Sequence, residues 1–547
     1  QKPYGDTGKK MIDLIFYNAK IYMQNACLKP ATAVAIRGNQ IAAVGNDLEM
    51  FSLADSHTRK IDMAGRLVLP GFVDSHFHLH EWALGRKRLV LSAAESLAEL
   101  RQLLANRALE KPAGEWIVGQ GWNETRWPEP RLLTCDDLDD LTPNHPTILW
   151  RSDGHLAVAN SLALQAANIN SEMLDPPEGV IDRTISGKPT GVLRDLAIEL
   201  VRAVIPPPSE AETVIALHEG IAELHKQGLT GVHDARMMAG SEGKATFHAY
   251  QRLKQTSGLG IRVWMMIPGQ YLTEAIDLGL QCGFGDDYLR IGHAKFFADG
   301  GQGARTAWML EDYEDTPTQG MPLTPMNEIA EAADHAQKAG FALAIHSIGD
   351  RANKELVNVF EHLLGNPQGP SEFPARIPHR IEHVQNMRPD DVRRLGRLGV
   401  VASVQPIHVT DDYPMIDRSV GKRGCWAYPF RDFLKAGVPM AFGSDCPVAS
   451  SNPIFGIHAA VTRRMRSGLP EGGWYPDQCL TVAEAVWAYT MGSAHACGRE
   501  KELGSIAPGK FADLVALDRD IFSIEPMEIA SSRVVMTIFD GQIVFEE

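Results

Sequence analysis

His76 and His78 stand two residues apart at the end of an apolar run, Leu67-Val68-Leu69-Pro70-Gly71-Phe72-Val73-Asp74-Ser75-His76-Phe77-His78. A strand over 72–78 would alternate its side chains between faces, placing Asp74, His76 and His78 on one and Val73, Ser75 and Phe77 on the other. Two imidazoles on one face converge near the strand end, which is a ligand geometry for zinc or a similar borderline cation. Taken alone, His-x-His also fits two polar residues at a strand end. Four polar residues downstream change its reading. Lys295 lies in His293-Ala294-Lys295-Phe296-Phe297-Ala298-Asp299, His346 in Ala344-Ile345-His346-Ser347-Ile348-Gly349-Asp350, His383 in Arg380-Ile381-Glu382-His383, and Asp445 in Gly443-Ser444-Asp445-Cys446-Pro447. A charged lysine inside an apolar strand is costly unless it is neutralised, paired or modified.

The elements that would carry these residues alternate regularly from position 209 onward. Strands are expected over 230–233, 262–267, 290–298, 342–346, 380–383, 400–405 and 440–445. Helices are expected over 210–227, 247–255, 327–339, 354–364, 390–398 and 431–436, with a last one over 481–495. With the strand at 72–78 this makes eight parallel strands, which close into a (β/α)8 barrel. Each candidate then falls at or near the C-terminal end of a strand, the face on which such barrels build their active sites. The segments 11–66 and 500–547 read as short strands and turns, with Arg37-Gly38-Asn39 as a hairpin turn. An isolated hairpin is barely stable, so the two ends should pack together as one composite β-sandwich domain. The barrel spans 67–499. Residues 81–215 break the alternation and form a large insertion after the first barrel strand, expected to contribute to the substrate pocket. The fold class is therefore α/β: a TIM barrel, a composite β-sandwich and an insertion.

This set of residues resembles the amidohydrolase superfamily, in which His-x-His on strand one, Lys on strand four, His on strands five and six and Asp on strand eight form the metal centre. The finer pattern is similar to the YtcJ-like branch, which includes N-substituted formamide deformylases. The matching pieces are Lys295-Phe296-Phe297-Ala298-Asp299-Gly300, His346-Ser347-Ile348-Gly349-Asp350-Arg351-Ala352, His379-Arg380-Ile381-Glu382-His383, Asp153-Gly154-His155 with Asn160-Ser161, and the closing segment Pro508 to Val515.

The resemblance implies two divalent metals per chain, most often zinc. His76 and His78 would bind the buried ion and His346 and His383 the other. Lys295, carboxylated by carbon dioxide, would bridge them, and Asp445 would touch a metal and shuttle a proton. One metal with an unmodified Lys295 is the alternative. The implied reaction is cleavage of a linear amide or N-formyl C–N bond by metal-activated hydroxide, Asp445 acting as base and then acid. An ester, lactone or cyclic-amide hydrolase could use the same centre, and a binding or regulatory protein could use the same scaffold. His155 is the first candidate for a donor to the substrate oxygen, with Trp122 and Arg126 beside it. Asp299, Arg305, Gln405 and His408, on loops after strands four and seven, would contact substrate or brace the site.

Composition limits the partners. The chain has 547 residues, 44% of them apolar, and a formal charge of −15, which disfavours a nucleic-acid or anionic-membrane surface. A small-molecule substrate is expected, with a homodimer implied at the level of the family. Seven scattered cysteines with no Cys-x-x-Cys give no disulfide framework and no thiolate site. There is no apolar run long enough to span a membrane. A cytoplasmic location is expected; because the sequence begins at Gln1 rather than Met, export after signal cleavage stays open.

Overall fold

Gly71 is the hinge between two sheets. The residues before it, Leu67–Pro70, pair with Leu514–Leu517 in a five-stranded sheet, and those after it, Phe72–Phe77, open the barrel. A side chain at Gly71 would run into Thr230. The computed structural model describes residues 11–24, 30–124, 127–151, 156–176, 179–195, 197–235, 241–365 and 377–547.

The barrel strands, numbered from this point, are β1 Phe72–Phe77, β2 Leu229–Asp234, β3 Arg262–Pro268, β4 Leu289–Phe297, β5 Leu343–Ser347, β6 Arg380–His383, β7 Val401–Val404 and β8 Met440–Phe442. They pair in that order, every ladder parallel. The sheet closes between β1 and β8 at the strand ends, where the Asp445 N–H donates to the His76 carbonyl at 2.8 Å and the His78 N–H to the Cys446 carbonyl at 2.9 Å. Barrel closure and the candidate metal ligands thus share the same backbone atoms. Gly443 permits the approach, because a Cβ there would stand 2.5 Å from the His76 nitrogen. Gly443→Ala should therefore cost about 1–3 kcal/mol by overpacking, read as a lower denaturation midpoint. An unchanged midpoint would show that the closure can yield.

The chain ends form the remaining sheets of this unit. One has the order Gln40–Gly45, Ala33–Arg37, Leu14–Tyr17, Arg59–Asp62; the other runs Lys20–Ile21, Leu67–Pro70, Leu514–Leu517, Val534–Phe539, Gln542–Glu546. Phe16, Val34 and Ile36 from the first and Val68, Leu514, Met536 and Ile538 from the second pack into one core. Arg262 of β3 reaches this region, pairing with Asp513 at 2.6 Å and Asp540 at 3.0 Å.

Residues 83–216 form a separate compact unit. Its six-stranded sheet has the order Gly179–Arg183, Pro189–Asp195, Leu156–Ala159, Thr147–Arg151, Ile117–Trp122, Leu89–Val90. Helix Leu97–Glu110 is capped by Ser96, whose hydroxyl accepts from the Glu99 N–H.

Two expectations change. Residues 406–420 are not a loop but a helix, Pro406–Val420, opened by proline at its first position, where the missing N–H costs nothing. His408 therefore sits in a helical first turn. The expected single helix over 481–495 is interrupted by a π turn, Ala488–Gly492. There Gly492 lies so close to the Met440 carbonyl that a Cβ would be 2.2 Å away, and Ser493 donates to the Val73 carbonyl at 3.0 Å. No helix among the described residues is long and apolar enough to cross a membrane. Six cysteines lie among the described residues, all unbridged; Cys27 is outside them.

Candidate active site

His76, in β1, and His78, just beyond it, are buried, with ring centres 5.5 Å apart. Asp445 lies opposite, its Oδ1 2.9 Å from His78 Nε2 and 3.4 Å from His76 Nε2. His383 ends β6, 4.8 Å from the His76 ring, and His346 of β5 is 4.5 Å from His383. Lys295 is buried in β4 with its Nζ 5.1 Å from the centre of the Phe297 ring. The barrel mouth therefore gathers four imidazoles and a carboxylate, with a buried amine in the adjoining strand.

Two of these residues occupy backbone conformations that side chains avoid. His383 has φ 70° and Asp445 φ 58°, and Val384, a β-branched residue, has φ 44°. Such strain persists only where the surroundings enforce it, and it clusters at functional sites. At His383 the consequence is specific. Strand alternation would put Glu382 and His383 on opposite faces, yet both lie beside His76. The left-handed backbone at His383 swings its ring to the same place.

Burial, then Lys295, lowers His76 to about 4 and His346 to about 3, and burial also holds His383 well below its ordinary value. For Asp445 burial acts upward, but His76, His78 and His383 outweigh it and hold the carboxyl well below its usual range. Burial lowers Lys295 to about 8. For His78 burial acts downward, but the hydrogen bond and charge of Asp445 outweigh it and raise the imidazole. Neutral His76, His346 and His383 beside an ionised carboxylate are in the protonation states that bind metal. The donor atoms of His76, His78 and Asp445 all lie within 4.8 Å of one another, as do those of His383, His408 and Asp445. This nitrogen and oxygen donor set fits a divalent cation of the borderline class.

The other expected residues are placed differently. Asp299 is fully buried and accepts N–H bonds from Ile348 (2.9 Å), Gly349 (2.7 Å) and Trp308 (2.8 Å), so it fastens the loops after β4 and β5 together. Arg305 is paired within its own loop to Asp315 at 2.5 Å. Trp122 is packed in the core of the inserted unit, its indole N–H donating to the Leu149 carbonyl at 3.0 Å, which leaves it no surface to offer a ligand. Gln405 precedes the first turn of helix Pro406–Val420. His408 stacks on His383 at 6.5 Å, and its Nε2 is buried without a partner among the described residues. Arg126 and His155 lie outside the described residues.

Glu382 and Arg380 were not singled out from the sequence, although both lie in the motif that contains His383. Glu382 Oε2 is 2.5 Å from His76 Nδ1, and both Glu382 and Arg380 are fully buried. The signal available was the cost of two charges in a four-residue strand.

The family model for the amidohydrolase family matches residues 59–545. The chain belongs to the amidohydrolase family. This amidohydrolase is 33% identical over 494 residues to the putative amidohydrolase YtcJ of Bacillus subtilis (strain 168), covering 90% of this chain and 91% of that protein. It is 28% identical over 551 residues to an N-substituted formamide deformylase of Arthrobacter pascens, covering 98% and 99%. Among solved structures it resembles an uncharacterized metal-dependent hydrolase from Pyrococcus horikoshii OT3, with a TM-score of 0.77 and 28% identity over 94% of this chain and 99% of that one. The amidohydrolase is thus a metal-dependent hydrolase of the YtcJ-like kind, built on a TIM barrel and using a divalent metal.

Proposed function

We propose that this enzyme hydrolyses a linear amide or N-formyl C–N bond at the mouth of its barrel. The observation that carries the reading is the buried cluster of His76, His78, His346, His383 and Asp445 above Lys295. His76, His78 and Asp445 would hold one divalent ion and His346 and His383 a second, zinc being the first choice for these donors. Carboxylation would turn Lys295 from a buried cation into an anionic ligand able to join the two, which removes the cost of its charge in an apolar strand. Bound ions would supply Lewis acidity toward a carbonyl oxygen and acidify a water.

The chain's own groups do the rest. Asp445 Oδ1, an ionised acceptor beside two imidazoles, takes a proton from the attacking water and returns it to the leaving nitrogen. His408 Nε2, buried and without a partner among the described residues, would face the substrate on the β7 side. Asp299 keeps the loops that follow the strands of Lys295 and His346 in register by its three backbone contacts. The amide reading is favoured over ester or lactone hydrolysis by the similarity to a protein named as an N-substituted formamide deformylase across 99% of that protein's length.

The test is a panel of N-substituted formamides, linear amides, lactones and cyclic amides, offered to zinc-reconstituted enzyme. Formate and free amine from the formamides are expected, and chelator-stripped protein should lose the activity until metal is restored. Turnover of lactones alone would overturn the amide reading.

A further inference from the structure

Behind His76, on the side away from Asp445, stands a carboxylate that the reaction itself does not call for. Glu382 Oε2 lies 2.5 Å from His76 Nδ1. On its other side Glu382 meets Arg380. Arg380 Nη2 donates to Oε2 at 3.2 Å, and Arg380 Nε stands 2.5 Å from Oε1, an ion-pair contact not aligned as a hydrogen bond. A carboxylate facing a guanidinium with both oxygens is an acceptor, so the proton shared with His76 is the imidazole's own. Arg380 is in turn tied to three further strands: Nη1 meets His233 Nδ1 of β2 at 2.8 Å, and Nη2 donates to the Ser75 carbonyl of β1 and the Ser403 hydroxyl of β7. The carboxylate therefore has little freedom to leave.

This support is particular to one ligand. Among the described residues neither His346 nor His383 has a carboxylate ion-pair partner and His78 has Asp445 alone, whereas the His76 ring has a carboxylate at each nitrogen, Glu382 at 2.5 Å from Nδ1 and Asp445 at 3.4 Å from Nε2. The contact at Nδ1 is a hydrogen bond and that at Nε2 is not, so the ring proton lies toward Glu382, which leaves Nε2 free to bind a metal.

We propose that Glu382 is the positioning residue of the metal centre: anchored by Arg380, it fixes the Nδ1–H tautomer of His76 and so presents Nε2 to the buried ion. The inference rests on the metal-centre reading above and adds the residue that orients its innermost ligand.

The experiment has two parts. In metal-free wild-type protein labelled with 15N-histidine, with His76 assigned by its loss in His76→Gln, the ring should be protonated at Nδ1 and bare at Nε2. Protonation at Nε2 would overturn the proposal, and this readout needs no variant of Glu382 to fold. In Glu382→Gln the His76 signals should move to a mixture of tautomers. Zinc affinity, measured by competition with a chelator, should fall about 10- to 100-fold, with Glu382→Asp recovering part of it. A folded Glu382→Gln with unchanged tautomer and unchanged affinity would overturn it. Wild-type protein that takes up no divalent metal would instead sink the metal-centre reading, leaving the tautomer to decide the part played by Glu382.

Discussion

Asp445→Asn is expected to lower kcat by about 100- to 10,000-fold, the usual contribution of a positioned acid–base group. The side chain keeps its shape, so the contact with His78 at 2.9 Å can survive while the capacity to take a proton is lost. The fall should appear in kcat, with bound metal retained in large part. Single-turnover kinetics beside elemental analysis would separate the two effects. Turnover within a few-fold of wild type would remove Asp445 from the proton pathway. An equal collapse of metal content would make it a ligand first and a proton carrier second.

Arg380→Met should be the most destabilising single change in the barrel interior, at about 3–5 kcal/mol, because it leaves Glu382 buried with its charge uncompensated. Arg380 is fully buried and ties β1, β2 and β7 to its own strand, so the loss is spread over half the barrel. Pairing it with Glu382→Gln should restore much of the stability, since the two charges then leave together. Urea denaturation of the two single variants and the double measures this directly. Additive losses would show that the pair does not act as a unit.

The metal-ligand candidates were legible because each sits at a strand end next to an apolar run. Period-two alternation placed His76 and His78 on one face, and the eight-fold repeat of strand and helix made a barrel the economical fold. What escaped depends on backbone departures that residue types do not announce. The left-handed conformation at His383 turns a strand that should separate Glu382 from His383 into one that gives both to the centre. The helix after β7 departs from the loop expected at His408; Pro406 takes its first position, which tolerates proline. Trp122 was drawn toward a ligand by its type, but tryptophan buries a large apolar face, and here the core of the inserted unit takes it.

In the proposed centre Lys295 joins two metal ions within one buried cluster of histidines and Asp445. Elemental analysis of purified wild-type enzyme beside Lys295→Ala tests it most directly. Two divalent ions per chain in the wild type, falling in the variant, is the result predicted. One ion per chain, unchanged by Lys295→Ala, would contradict it.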